Sequence, residues 1–216
     1  GDAYKFVDFL SAAGVSVWQM LPLVPTHGDL SPYQGLSVPA CNPLLINIAL
    51  LQDWGWLTES LEAESKNFVE YRQTALRHAY QGFKTVVDDR LRAEFENFTV
   101  RNNHWLKDYA LFQADRQAYA NAHWLDWPEA LREREAFALA EAEQDLADVI
   151  DYVRFEQFAF FRQWGFLHEY AHRNGVILFG DMPIFVAHYS ADVWTKRESF
   201  SLVDHVRADG GARVLP

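Results

Sequence analysis

Two short apolar runs constrain the fold of this 216-residue chain more than any other feature of its sequence. They cover residues 15–23 and 176–179, and each follows a helix-like pattern that ends at a glycine, Gly14 or Gly175. A short continuous apolar run predicts a fully buried strand, because the strands of a parallel sheet are covered on both faces. The repeated order of helix, glycine and strand is typical of a parallel sheet with helical crossovers. We therefore expect an α/β fold.

The sequence between the two runs is predominantly helical in pattern. Apolar residues recur at three- and four-residue steps from residue 57 to about residue 147. We expect a helical insertion over residues 51–147, between a first segment at 1–50 and a last segment at 148–216. A helix over residues 148–174 carries apolar side chains around most of its surface, so it should be largely buried. The tryptophan-rich stretch at 124–128 is interpreted as a packing element, with ligand binding as the less common alternative.

A long loop follows the first apolar run. Residues 25–42 are rich in proline, glycine and short polar side chains, which is the composition of an ordered loop. Within it, Ser31, Pro32, Tyr33 and Gln34 place a hydroxyl, a stiff turn, an aromatic face and an amide side by side. This set suits a sugar, because a flat ring covers its apolar C–H face while polar groups bind its hydroxyls. The alternative is a surface loop whose Tyr33 packs back on the core.

An acidic residue follows the second apolar run. Asp181 comes directly after Gly180, at the end of residues 176–179. Barrel and open-sheet enzymes place functional groups at the carboxyl ends of their strands, and a glycine there leaves room for a ligand. Asp181 is therefore a candidate site residue. The alternative is a buried acid that caps a loop by accepting backbone hydrogen bonds.

Composition excludes several classes of partner. The formal net charge of −11 argues against nucleic acid and anionic membranes, since both require a basic surface. The single cysteine, Cys41, excludes an internal disulfide and is consistent with a reducing compartment. The sequence does not open with a secretory h-region and contains no apolar stretch of membrane-spanning length, so we expect a cytoplasmic protein. Because it begins at Gly1 rather than Met, we expect the natural chain to be longer.

Metal and cofactor chemistry are not indicated. His27, Asp29, Asp181 and His188 carry metal-ligating side chains, but their spacing lacks the pairs typical of metal sites. No glycine-rich phosphate-binding loop occurs, and Cys41 has no histidine nearby in the sequence to activate it. We therefore expect neither a metal nor a cofactor.

Several motifs taken together resemble the 4-α-glucanotransferases, also called amylomaltases or disproportionating enzymes. The similar segments are, in chain order, WQMLPL (18–23), SPYQ (31–34), NPLLI (42–46), YALF (109–112), WLDWP (124–128), FRQW (161–164), GDMPIFVA (180–187) and SADVW (190–194). Each segment alone is a weak signal. Their order and spacing over nearly the whole chain make the resemblance specific.

The resemblance implies the N-terminal part of a (β/α)8 TIM barrel with a large helical insertion. It also implies transfer of a segment of α-1,4-glucan from a maltooligosaccharide to another glucan or to glucose, with retention and without a cofactor. Such a reaction uses a carboxylate nucleophile and a carboxylic acid/base about 5 Å apart. In the family these groups follow later strands. We therefore expect this chain to be a fragment that lacks the catalytic carboxylates and is inactive alone.

The same resemblance assigns roles to three residues. Tyr33 reaches the sugar at the cleavage site, Ser31 lies beside it, and Asp181 supports the site without being the nucleophile or the acid. Asp204 superficially resembles the family's nucleophile. However, Leu202 stands where the family has an arginine, and the segment follows Asp181 too closely to reach another strand. We therefore assign no catalytic residue in this chain.

Three positions depart from the family pattern. His27 stands where many relatives have the tyrosine of a second glucan site, Cys41 replaces a glycine, and His188 stands where an acid is common. Because of these departures, the resemblance does not extend to a secondary glucan site. The alternative to an enzyme is a non-catalytic α-glucan-binding or helical interaction module. An Asp, a Glu and a second Asp in blocks beyond residue 216 would distinguish the enzyme from that module.

Overall fold

A computed structural model describes residues 1–28, 30–58, 67–183 and 186–200, together with the backbone of two further strands. The described chain is mostly helical. Its helices are α1 (Asp2–Ala12), α2 (Ile48–Asp53), α3 (Phe68–Val86), α4 (Asp89–Arg101), α5 (Asn103–Ala118), α6 (Glu129–Arg132), α7 (Ala136–Asp145), α8 (Ala147–Arg173) and α9 (Ala191–Thr195). Its strands are β1 (Val17–Gln19), β2 (Ile177–Phe179), β3 (Val203–Val206) and β4 (Ala212–Leu215). Within the described ranges, no helix is long and apolar enough to cross a membrane.

The chain forms two units, each assembled from three separate stretches. The first unit contains Gly1–Leu23, Cys41–Asn103 and Tyr152–Asp181, and the second contains Val24–Ala40, His104–Asp151 and Met182–Pro216. From the sequence we expect three consecutive segments, 1–50, 51–147 and 148–216. The division into two units does not test them, and they stay a prediction.

A parallel pair of strands lies in the first unit. β1 pairs with β2 in the register Val17 with Ile177, Trp18 with Leu178 and Gln19 with Phe179. The glycines that precede the strands adopt positive φ angles, +71° at Gly14 and +73° at Gly175, which only glycine adopts readily at a helix C-terminus. The predicted order of helix, glycine stop and parallel strand is therefore confirmed at both places.

The prediction of one long, fully buried strand over residues 15–23 is wrong in two respects. β1 is only three residues long, because the Val15 N–H donates to the Leu10 carbonyl at the end of α1 and Pro22 has no N–H to continue the ladder. One face of the sheet is also open. Val17, Ile177 and Phe179 are 48%, 60% and 56% exposed, because in the described part of the chain only the opposite face is covered.

The covered face of this sheet packs on α1 and α8. Trp18 and Leu178 contact a small buried cluster formed by Val7, Leu10, Ala171 and Val176. A larger cluster fills the rest of the first unit, and it is built from α2, α3 and the buried side of α8. Its aromatic centre is Trp56, Tyr80, Phe83, Phe155 and Phe158. The helical character predicted for residues 57–147 is therefore confirmed where the structure describes it. The burial predicted for the long helix holds over residues 150–163, whereas most of its later residues are exposed or partly exposed, Phe166 by 44%.

The second unit has its own aromatic core. The rings of Phe112, Trp127 and Trp194 contact one another, with centroids 5.4–5.8 Å apart. Trp124 and Trp194 are almost fully buried. The tryptophan-rich stretch is therefore a packing element, as interpreted from the sequence. In the same unit β3 pairs with β4 in antiparallel fashion, from Val203 with Leu215 to Val206 with Ala212; the sequence did not predict this hairpin.

Candidate functional site

The loop that carries Ser31 and Tyr33 contains neither helix nor strand in its described residues. It is nevertheless closely packed within the second unit. The Leu36 N–H donates to the Pro25 carbonyl at 2.8 Å, and Leu36, Ser37 and Ala40 are buried. A Cβ at Gly35 would lie 2.6 Å from Cγ2 of Val24, so this turn requires glycine. The second half of the loop is therefore packed into the second unit.

Ser31 and Tyr33 meet at the turn around Pro32. The Tyr33 N–H donates to the Ser31 hydroxyl at 3.4 Å, and the Tyr33 side chain is 48% exposed. About half of the Tyr33 surface is therefore accessible, and its role in sugar binding stays a prediction. An exposed aromatic ring next to a hydroxyl is a surface on which a sugar ring can stack while its hydroxyls find a polar partner.

The loop is held against the start of α9. The Ala191 N–H donates to the Leu36 carbonyl at 2.8 Å, and the Val38 N–H donates to Oδ2 of Asp192 at 2.9 Å. The Ser190 hydroxyl caps the start of α9 by accepting from the Val193 N–H. The role of Asp192 in holding the loop was missed, and a Ser-Ala-Asp start of a helix carries no signal for it.

A cluster of aromatic and histidine rings adjoins these contacts. His27 packs edge-on against Tyr189 with ring centroids 4.1 Å apart, and Tyr189 packs against His123 at 5.3 Å. His123 stacks on His188 at 5.5 Å. Burial lowers the pKa of the His188 imidazole, which keeps this ring neutral at neutral pH. The cluster therefore acts as packing between the loop and the segment that precedes α9.

The residues weighed as metal ligands do not assemble in the described structure. His27 and His188 belong to the second unit, Asp181 belongs to the first, and Asp29 lies outside the described residues. Among described residues, no three histidine, cysteine, aspartate or glutamate side chains are grouped so that they could hold a metal ion. Burial raises the pKa of the Cys41 thiol to about 12. Cys41 is therefore protonated at neutral pH and unsuited to nucleophilic attack.

Asp181 lies at the carboxyl end of the parallel sheet, as expected. The Met20 N–H donates to the Phe179 carbonyl at 2.9 Å, which extends the pairing of β1 and β2 up to this end. Asp181 is half-buried, and a Cβ added at the preceding Gly180 would meet nothing within 4 Å. In the described part of the chain, open space therefore lies beside the Cα of Gly180. Asp181 belongs to the first unit, whereas Ser31 and Tyr33 belong to the second.

An apolar groove of about 620 Å³ lies in the first unit beside α1, α2 and α8. Three of its polar side chains already form hydrogen bonds within the chain. Gln163 exchanges two hydrogen bonds with the Asn47 backbone, Arg72 donates to the Ile46 carbonyl, and the Asn47 amide accepts from the Ala49 N–H at the start of α2. The groove thus offers a ligand little polar recognition, which makes it a weaker candidate site than the Ser31–Tyr33 turn.

Comparison with known proteins gives consistent matches. The family model for 4-alpha-glucanotransferase matches residues 1–212. The 4-alpha-glucanotransferase of Thermus thermophilus is 41% identical over 222 residues, covering 100% of this chain and 44% of the relative. That of Synechocystis sp. is 39% identical over 210 residues, covering 93% of this chain and 42% of the relative. The amylomaltase from Streptococcus agalactiae, solved in complex with acarbose, superposes with a TM-score of 0.83 at 31% identity, covering 99% of this chain and 48% of that one.

The chain thus spans less than half the length of these relatives. Within that length the match is nearly complete, and it includes the loop with Ser31 and Tyr33 as well as the end of β2 with Asp181. The resemblance inferred from the motifs is confirmed: this chain belongs to the 4-alpha-glucanotransferase family.

Proposed function

We propose that the complete polypeptide to which this chain belongs is a 4-α-glucanotransferase. It transfers a segment of α-1,4-glucan from a maltooligosaccharide to another glucan or to glucose. The observation that carries the proposal is the family match over residues 1–212. The exposed Tyr33 ring beside the Ser31 hydroxyl supports it, because this pair offers a stacking face and a polar partner to a pyranose.

The proposed mechanism is a double displacement with retention. A carboxylate attacks the anomeric carbon, a carboxylic acid protonates the leaving oxygen, and the acceptor hydroxyl then displaces the enzyme from the covalent intermediate. We assign neither carboxylate to this chain, since its relatives are more than twice as long. Tyr33 and Ser31 bind the sugar at the cleavage site, and Asp181 supports the site. No cofactor or metal takes part.

We also propose that β1 and β2 are strands of a (β/α)8 barrel, in which the α3–α7 region is a helical insertion. Two observations support this. The strands pair in parallel through a helical crossover, and Val17, Ile177 and Phe179 leave an apolar sheet face exposed. A strand of a parallel sheet is normally covered on both faces. Further strands of the complete polypeptide would cover this face.

The experiment uses the complete polypeptide and maltotriose, without added cofactor. Transfer predicts glucose together with maltooligosaccharides longer than maltotriose, separated by chromatography. Binding of acarbose without any new product would instead favour the non-catalytic glucan-binding module. Neither binding nor products would reject both functions. Maltooligosaccharides are the proposed partners, and nucleic acid and membranes are not. Location in the cytoplasm stays a prediction.

A further inference from the structure

Three contacts join the Ser31–Tyr33 loop to one short segment of the second unit. His27 packs its ring on Tyr189 with centroids 4.1 Å apart. The Leu36 carbonyl accepts from the Ala191 N–H at 2.8 Å, and the Val38 N–H donates to the Asp192 carboxylate at 2.9 Å. The contacts are distributed along the loop, before and after the Ser31–Tyr33 turn. They therefore restrain the turn from both sides.

The segment that makes these contacts is itself firmly held. The indole N–H of Trp124 donates to the His188 carbonyl at 3.0 Å. The indole N–H of Trp194 donates to the Leu131 carbonyl at 3.2 Å. Both tryptophans are almost fully buried, so their backbone partners have little freedom to move. Residues 188–194 are therefore tied at both ends to buried indole rings, and we call them the support of the loop.

Asp192 is the side chain in this support that hydrogen-bonds the loop backbone. Burial raises the pKa of its carboxyl, while the hydrogen bonds from Val38 and from its own backbone N–H, and the charge of Lys196, act in the opposite direction. A partly buried carboxylate that accepts a backbone N–H forms a charge-assisted hydrogen bond, which is stronger than a neutral one. Removing the carboxylate leaves the Val38 N–H without this acceptor.

We propose that Asp192 is a positioning residue for glucan binding, because it fixes the loop that presents Ser31 and Tyr33. This inference rests on the proposed function. A loop that is ordered only part of the time binds its ligand more weakly, in proportion to the ordered fraction. Once bound, the substrate restores the order. Loss of the anchor should therefore raise KM and leave kcat almost unchanged.

The test compares Asp192→Ala with Asp192→Asn in the complete polypeptide. We expect Asp192→Ala to raise KM for maltotriose about tenfold, the effect of losing one charge-assisted hydrogen bond, with kcat changed less than about threefold. Asp192→Asn should recover most of the affinity, because its amide oxygen can accept from the Val38 N–H. Glu141→Ala, an exposed carboxylate on α7 of the same unit, is the matched control and should leave KM unchanged.

Hydrogen exchange gives a second reading that does not depend on turnover. The Val38 amide should exchange faster in Asp192→Ala than in the wild-type and in Asp192→Asn. An unchanged KM in an active Asp192→Ala enzyme would overturn the inference alone. The inference would also be overturned if Asp192→Ala lowered both kcat and thermal stability and Asp192→Asn restored neither. That result would indicate a purely structural role. An inactive wild-type polypeptide that does not bind acarbose would overturn the proposed function, and this inference with it.

Discussion

The side-chain amide of Gln157 makes a two-point hydrogen bond with the backbone of Cys41. The Cys41 N–H donates to Oε1 at 2.8 Å, and Nε2 donates to the Cys41 carbonyl at 2.9 Å. Gln163, further along α8, binds the N–H and carbonyl of Asn47 in the same way, at 2.7 and 3.0 Å. Cys41 and Asn47 flank a short 3-10 helix at Pro43–Leu45. Their backbone groups therefore obtain from α8 the partners that a neighbouring strand would supply.

Gln157→Leu should destabilise the protein by about 2–4 kcal/mol. Leucine keeps the volume but leaves the Cys41 N–H and carbonyl without partners, and each unpaired buried group costs about 1–3 kcal/mol. Chemical denaturation of the complete polypeptide measures the loss. Gln81→Leu, at an exposed position of α3, is the control and should change stability by less than about 0.5 kcal/mol. Equal effects of the two substitutions would contradict this account.

Asp115 should make the protein less stable at neutral pH than at mildly acidic pH. This residue of α5 is 1% exposed, and in the described part of the chain neither carboxylate oxygen has a hydrogen-bond partner. Burial raises the pKa of its carboxyl from 3.8 to about 7. Between these values the folded chain holds the proton and the unfolded chain does not. Stability therefore falls as the pH rises from about 4 to 7, by at most about 1.4 kcal/mol per pH unit.

Asp115→Asn removes this titration and provides the test. The variant should resemble wild-type at pH 4 and be more stable at pH 8, as measured by thermal unfolding across the range. Burial also raises the pKa of the Glu156 carboxyl to about 7. The stability of Asp115→Asn should therefore still fall with rising pH, but less steeply than that of the wild-type. Asp145→Asn changes an exposed carboxylate of α7 and should leave the pH dependence of stability as in the wild-type. Parallel curves of stability against pH for the wild-type and Asp115→Asn would refute the prediction.

Tyr33→Ala should lower kcat/KM for maltotriose transfer more than tenfold, and Tyr33→Phe should lower it about fivefold. Phenylalanine keeps the exposed ring and loses only a hydroxyl, whose hydrogen bond is worth about 1 kcal/mol. Steady-state kinetics of the complete polypeptide would measure both. Phe137→Ala removes another exposed ring of the second unit and should have no effect. Near-wild-type turnover of Tyr33→Ala would remove Tyr33 from the site.

Asp181→Asn should reduce turnover while the melting temperature stays unchanged. Asparagine keeps the size of the side chain and removes only its charge, which is the property that a supporting acid needs. Asp53→Asn, at an exposed position at the end of α2, is the control. Comparison of activity with melting temperature distinguishes an acid that supports the site from an acid that caps a loop. A lower melting temperature at full specific activity would favour the loop-capping role.

The 216-residue chain expressed alone should be inactive on maltotriose and should self-associate. The exposed side chains of Val17, Ile177 and Phe179 form an apolar sheet face. Within the described residues, β1 and β2 pair only with each other, so each also leaves one edge open, and both features promote association. Light scattering would detect it, and Ile177→Glu should weaken it. Glucose and longer maltooligosaccharides made by this chain, and lost in Asp204→Asn, would identify Asp204 as the nucleophile. The side chain of Asp204 lies outside the described residues.

Local features of the fold could be predicted from the sequence because they depend on residues within about one helical turn. The glycine stops at Gly14 and Gly175 and the long helix α8 are of this kind. The parallel pairing of the two strands followed from their repeated order with helices. The motif set identified the family in the same way, since order and spacing along the chain were sufficient.

Long-range relationships were decided by the tertiary structure. The contacts of Asp192 with Val38 and of Gln157 with Cys41 join residues 154 and 116 positions apart, and no local pattern specifies such a partner. The same holds for the exposure of Tyr33, the burial of Asp115 and the open face of β1 and β2. The sequence by itself determined the helical character of the chain, the glycine stops before β1 and β2, the parallel pairing of these two strands and the family. Packing decided which side chains are buried and which backbone groups they hold, because both depend on surfaces that only the folded chain brings together.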